Sequence, residues 1–136
     1  MSDIVGFVAS LRGVRDRELP DIVQEWQRRI GLAALTSVVL KTPVDTGRAR
    51  ANWQAGPTTS ESPLDVLDKL GGDTVERGRA AASNQRPFQP FYIFNNVEYI
   101  GYLEEGSSEQ APQGMAALTV RELESRLLAA GLRFSP

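Results

Sequence analysis

The side chains that do most enzyme chemistry are missing from this sequence. It contains no cysteine and no histidine. Thiolate nucleophiles, disulfides and Cys- or His-ligated metals are therefore excluded, and so is any Ser-His-Asp or Cys-His arrangement. The group best suited to proton transfer near neutral pH is also absent. An all-carboxylate site is what remains. Asp45, Glu98, Glu104 and Glu105 are its candidate members, and with Mg²⁺ they define an alternative reading as a hydrolase or nuclease. The pair Glu104 and Glu105 fits that chemistry poorly. Neighbours on a helix point about 100° apart and converge badly on one ligand. A helix-end charge or an inter-subunit salt bridge suits them better, and the expectation is no catalytic residue, no metal and no cofactor.

Charge argues against a DNA reader. Fifteen Lys and Arg stand against seventeen Asp and Glu, a formal charge of −2, where phosphate grip calls for a basic surplus. The cluster Arg12, Arg15, Arg17, Arg28 and Arg29 is interleaved with Asp16, Glu18, Asp21 and Glu25, which neutralise it. A small nucleic-acid-binding regulator is the second alternative, and it predicts salt-dependent DNA affinity. Residues 1–50 carry eight basic and six acidic groups, and residues 97–136 carry three and six. The C-terminal third is the acidic part.

With 136 residues, 41% of them hydrophobic and 24% charged, the composition is that of one soluble globular domain. No apolar run approaches the roughly 20 residues that span a bilayer, and the start lacks a basic secretory n-region. The expectation is a protein made in the cytoplasm that leaves it only inside a larger particle.

The elements that must position these residues follow from periodicity. Residues 1–19 form an extension in which Ile4, Phe7, Val8 and Leu11 predict a short helix over 3–13, stopped by Gly13. A core over 20–131 follows. Pro20 suits a first helical turn and Asp21 and Glu25 suit its dipole. Ile22, Trp26, Ile30, Ala33 and Ser37 then mark one face, so 20–41 reads as a long helix. Its second half is apolar all round and predicts burial on more than one side. Thr42-Pro43 ends it.

Residues 43–47 are a turn by composition. In it Asp45 is expected to accept backbone N–H groups and Gly47 to take a positive φ. The turn aims Arg48, Arg50 and Trp53 into a strand over 50–56, where Ala51, Trp53 and Ala55 alternate with polar residues. The corner is either purely structural or presents Arg48 or Arg50 to a neighbouring subunit. Trp26 and Trp53 read as core or interface anchors.

Residues 63–86 form a possible helical insert. Ser62-Pro63 opens a short helix through Leu70, and Asp73 with Glu76 opens another over 74–83, weakened by Gly78. Residues 91–95 predict a strand that pairs antiparallel with 50–56. Residues 97–105 are helical and Gly106 caps them. In that helix Tyr99 and Leu103 face the core while Tyr102 and Glu105 share a more exposed side. A flexible loop over 106–114 is a candidate reach to a neighbour, and a closing helix spans 115–130 before Gly131. The whole is α+β, a small antiparallel sheet packed against a long N-terminal helix and a C-terminal helix.

Two segments are more distinctive. The first runs from Thr42 to Trp53, TPVDTGRARANW. The second runs from Asn95 to Ser108, NNVEYIGYLEEGSS, and is followed by Gln110, Pro112 and Met115. In this order, framed by these helices, they resemble the neck and tail-completion proteins of long-tailed bacteriophages and prophages, a group that touches the minor tail protein Z family. Those proteins carry a long helix, a TPVDTGxLRxSW-like stretch, a central strand, a YAxYxExG(T/S) segment and a closing helix. The match covers roughly residues 20–130. Ala49 departs from it where a larger apolar residue is common, and Asn52 where serine is.

The resemblance implies a virion protein of the neck or tail, assembled in the bacterial cytoplasm. It implies a homo-oligomeric ring, six copies by tail symmetry or twelve by connector symmetry. Such a ring would join head-closure or connector proteins to tail-terminator or tail-tube proteins. Asp45, Gly47, Arg48, Arg50, Trp53, Tyr102, Glu104, Glu105, Gly106, Gln110 and Met115 are then its motif and subunit-interface residues. Genomic DNA would touch the channel transiently and without sequence preference, and an acidic C-terminal third facing the lumen would let it slide.

Overall fold

The predicted long helix is present as α1 (Leu19–Lys41) in the computed structural model, which describes residues 19–129. The helix expected over 3–13 and the stop at Gly131 lie outside these residues. Asp21 sits in the first turn of α1 and Lys41 in the last, each where the helix dipole favours its charge. Leu35, Val38 and Val39, one turn apart, are buried and form the centre of the core with Trp53, Ala111 and Met115. Burial is not all round, because Leu40 is 58% exposed.

Beyond α1 the expected direct entry into a strand is corrected. Residues Arg48–Ala51 form a single helical turn, α2, and the strand β1 is Trp53–Gly56. The cause is Gly47, whose φ of +89° turns the chain so that its carbonyl accepts the Ala51 N–H at 2.9 Å. Arg48 and Arg50 therefore project from a helical turn, and only Trp53 enters the sheet.

The helix expected over 63–70 does not form either. Its backbone groups are taken by partners from elsewhere in the chain. The Asn52 amide accepts the Leu64 N–H at 2.6 Å and donates to the Leu64 carbonyl at 3.1 Å. Gly47 accepts the Asp68 N–H at 3.1 Å, and Arg50 donates to the Lys69 carbonyl at 2.8 Å. Residues 63–70 become an irregular strap laid across α2.

Helix α2 is followed in sequence, past the strap, by α3 (Gly72–Ser83). Its cap is Asp68 rather than the expected Asp73 and Glu76 pair. The Asp68 carboxylate accepts the Gly71 and Thr74 N–H groups, each at 2.9 Å. Gly78 is not a weakness but a contact: a Cβ there would collide with the Leu35 side chain, so α3 lies close against α1. Strand β2 (Tyr92–Asn95) pairs antiparallel with β1, Trp53 opposite Asn95 and Gly56 opposite Tyr92.

The helix expected over 97–105 is shortened to α4 (Ile100–Glu104), and Tyr99 is 38% exposed rather than core-facing. Gly106 takes a φ of +91° and stops it. Helix α5 (Ala116–Ala129) returns along α1, where Leu127 packs on Ile30 and Ala33 and the Ser37 and Thr119 hydroxyls meet at 3.0 Å. The face of α1 read from the sequence thus receives α5 over these three residues. The architecture is α+β: a long N-terminal helix, a two-stranded antiparallel sheet and a packed C-terminal helix.

Candidate functional site

The two distinctive segments meet. Residues 43–49 with Tyr99, Leu103, Ser108 and Gln110 line one cleft of about 340 Å³. Its frame is built from α1 outward. Thr42 follows the last helical residue and is 1% exposed. Its hydroxyl donates to the Val38 carbonyl at 2.6 Å and accepts the Trp53 indole N–H at 2.6 Å. One buried oxygen thus ties the end of α1 to the start of β1.

Across the turn, Gln110 acts as a clasp. Its side chain accepts the Val44 N–H at 2.9 Å and donates to the Val44 carbonyl at 3.3 Å, the pairing a neighbouring strand would make. Asp45 is exposed and takes no N–H group from the described residues. Within the turn, Thr46 accepts the Arg48 N–H at 3.3 Å. Gly47 is where the strap crosses, and a Cβ there would stand 2.7 Å from the Lys69 nitrogen. Glycine is required twice over, by φ and by space.

Arg48 and Glu98 form a two-pronged ion pair at 2.7 and 3.1 Å, joining the first segment to the second. Hydrogen bonding from Arg48 holds the Glu98 carboxyl down to about 2, and the Glu98 bond in turn raises the Arg48 guanidinium above its usual value. Glu98 is 68% exposed in its side chain, so the pair is an orientation device more than a source of stability. Arg50 differs. It donates to the Leu40, Thr42 and Lys69 carbonyls, bracketing the C-terminal end of α1 to the strap, while its Nε is buried without a partner. Asn95 donates to the Ala49 carbonyl at 2.8 Å and adds a third tie between the segments.

Glu104 and Glu105 separate as adjacent helical residues must. Glu104 turns inward and accepts the Met115, Ala116 and Ala117 N–H groups at 2.9, 2.8 and 3.0 Å. It is the N-terminal cap of α5. Burial opposes its charge, but these three bonds prevail and hold its carboxyl below the usual range. Glu105 and Tyr102 are exposed. Gly106 packs against the Pro112 carbonyl and Gly114 against Glu104. Residues 106–114 accordingly form successive tight turns with Ala111 buried at 5%, and Met115 is fully buried in the core.

Among the described residues no three carboxylates converge as a metal site would require. Glu98 is engaged by Arg48, Glu104 by a helix end, and Asp45 and Glu105 stand apart. What the cleft holds is a shape. Sequence reasoning missed Asn52, Asp68 and Thr42, which fix that shape from within. Their signal was weak, since Asn and Asp before helices and turns are common. It also missed the exposed apolar residues of the strap, Val66, Leu67 and Leu70, at 42, 66 and 87% exposure. The signal was there: an unexpectedly apolar run inside a polar segment. No family model, no curated protein and no solved structure matches the chain.

Proposed function

We propose that this chain is a structural subunit of a tailed-phage virion. Copies of it form a ring at the head–tail interface or tail top that completes the tail, joins it to the head and leaves a channel for DNA. The observation that carries the reading is the convergence of the two segments behind the resemblance. Fifty residues apart in sequence, they are locked together by Arg48 and Glu98, and Gln110 clasps Val44 from 66 residues away. Their most distinctive residues serve as a turn, a bracket, a clasp and a helix cap. Such a unit is built to present a surface.

Chemistry of this kind is complementary burial between copies, through head-to-tail contacts that close by rotation. Tyr99 lines the cleft beside the clasped turn, and Tyr102 and Glu105 of the same segment are exposed to a neighbour. The ring's partners are a connector or head-closure protein on one side and a tail-terminator or tail-tube protein on the other, with six copies favoured over twelve. Glu105, Glu109 and Glu124 are exposed and suit a lumen wall that repels phosphate. No described helix is long and apolar enough to cross a membrane.

The test is electron microscopy of lysates from a phage in which this gene is disrupted. Filled heads beside separate, full-length tails are expected. Intact infectious virions would overturn the proposal.

A further inference from the structure

Among the described residues, Gln110 alone lines two clefts at once. One, of about 380 Å³, is walled by Leu40, Lys41, Arg50, Pro112 and Leu118 among others. The second is the cleft of about 340 Å³ beside Val44, Tyr99 and Leu103. Their walls are consecutive in the chain, residues 40–42 in the first and 43–49 in the second. The clefts therefore follow one stretch of backbone, and the Gln110 side chain crosses it at Val44. Each is of a size that takes a ligand.

What Gln110 places there is a primary amide, whose carbonyl accepts the Val44 N–H at 2.9 Å and whose N–H donates to the Val44 carbonyl at 3.3 Å. A residue of an extended chain running antiparallel exchanges the same two kinds of bond. The clasp thus holds the place of a strand with a side chain that imitates one. Gln110 is exposed, so both bonds compete with water. Fixing a glutamine in one rotamer opposes them with a comparable loss of entropy. The balance is close to even, and the clasp yields when another main chain supplies the same pair.

Charge says what kind of chain. The first cleft is lined by two cations and no acid. Lys41 is paired with Glu122 at 2.8 Å. Arg50 meets the Leu40, Thr42 and Lys69 carbonyls and, among the described residues, no carboxylate. In the second cleft Asp45 offsets Arg48, which is itself paired with Glu98. The positive excess lies at the Arg50 end.

We infer that Gln110 is a displaceable stand-in for a partner's main chain. An extended, acidic polypeptide segment docks along residues 40–49, pairs one residue with Val44 in place of the Gln110 amide, and directs a carboxylate toward Arg50. Main-chain pairing supplies the hold, and side chains entering the two clefts supply selectivity. The site goes beyond the ring reading and does not depend on it, so the gene disruption and the experiment below can fail separately.

The probe is a bead-bound library of random heptapeptides, acetylated and amidated at their ends, screened against the full-length chain and its Gln110→Ala variant. Both should select peptides that share an Asp or Glu. The best of these, made in solution, should bind Gln110→Ala about three- to tenfold more tightly, because no competing clasp remains. On the wild-type chain, methylating its backbone nitrogens one at a time should reveal one position that abolishes binding, the N–H that meets the Val44 carbonyl. Replacing its acid by the corresponding amide should weaken binding at low salt. These wild-type comparisons stand even if Gln110→Ala unfolds. Selection of no peptide, or of peptides without an acid, overturns the inference. So does equal or weaker binding by a folded Gln110→Ala, or a peptide that tolerates every single methylation.

Discussion

Glu104 offers the sharpest test of the view that the second segment is architectural. Glu104→Ala leaves three backbone N–H groups at the start of α5 without their acceptor. Water can reach Ala117, which is exposed, but Met115 is fully buried. A buried orphan donor costs about 1–3 kcal/mol, loss of an N-cap about 1 kcal/mol, and loss of a negative charge at a helix N-terminus about 0.3–1 kcal/mol. These overlap, so the expected loss is about 3 kcal/mol. With a urea slope of roughly 2 kcal/mol per M, the midpoint falls by about 1.5 M at unchanged slope. Glu104→Gln keeps one acceptor oxygen and should lose about half as much.

The pH dependence has a definite sign. Because the folded carboxyl lies below its ordinary value of 4.5, its contribution is fully present above that value. It is lost as pH falls through the lower folded one. Urea titrations of wild type and Glu104→Gln should therefore differ most at neutral pH and converge in acid. An Ala variant within about 0.5 kcal/mol of wild type would refute the capping role. So would a gap between wild type and Gln that widened toward low pH.

Three further outcomes are expected. Gly78→Ala forces a methyl into Leu35, and overpacking of about 1–3 kcal/mol outweighs a helix-propensity gain of about 1 kcal/mol. Thermal unfolding should show a net loss, whereas Gly72→Ala, with open space around it, should be neutral or slightly stabilising. Glu98 should titrate by carboxyl NMR near 2 and return to the ordinary carboxylate range in Arg48→Met, with little change in unfolding temperature because the pair is exposed. Thr42→Val removes the acceptor of the buried Trp53 N–H and should cost about 1–3 kcal/mol in chemical denaturation.

Much of this fold was legible because its signals are local. Pro20, Asp21 and a sustained apolar run announce α1; a short aromatic run announces β2; Leu123 and Leu127 announce α5. The positive φ of Gly47 and Gly106 could be anticipated, since turn composition reports backbone demands directly. The errors share a cause. The alternation of Ala51, Trp53 and Ala55 predicted a strand through Arg50, but a helical turn closed on the Gly47 carbonyl. Ser62-Pro63 predicted a helix, but Asn52, Gly47 and Arg50 bind the strap's backbone from a distance. In each case a competing hydrogen bond, local at Gly47 and long-range at the strap, overrode a weak pattern preference.

The candidate site divides along the same line. By itself the sequence excluded imidazole and thiol chemistry, because an absent residue type is absent from every fold. It also determined the α+β class, because hydrophobic period dictates which faces must be buried. Only the tertiary structure decided that Arg48 would meet Glu98, that Gln110 would clasp Val44 and that Glu104 would cap a helix rather than pair with Glu105. Spacing along the chain carries no information about groups fifty residues apart; packing of α1, the sheet and α5 brings them within hydrogen-bonding reach. The same packing left the strap's leucines and the groove beside Trp26 uncovered by the described residues.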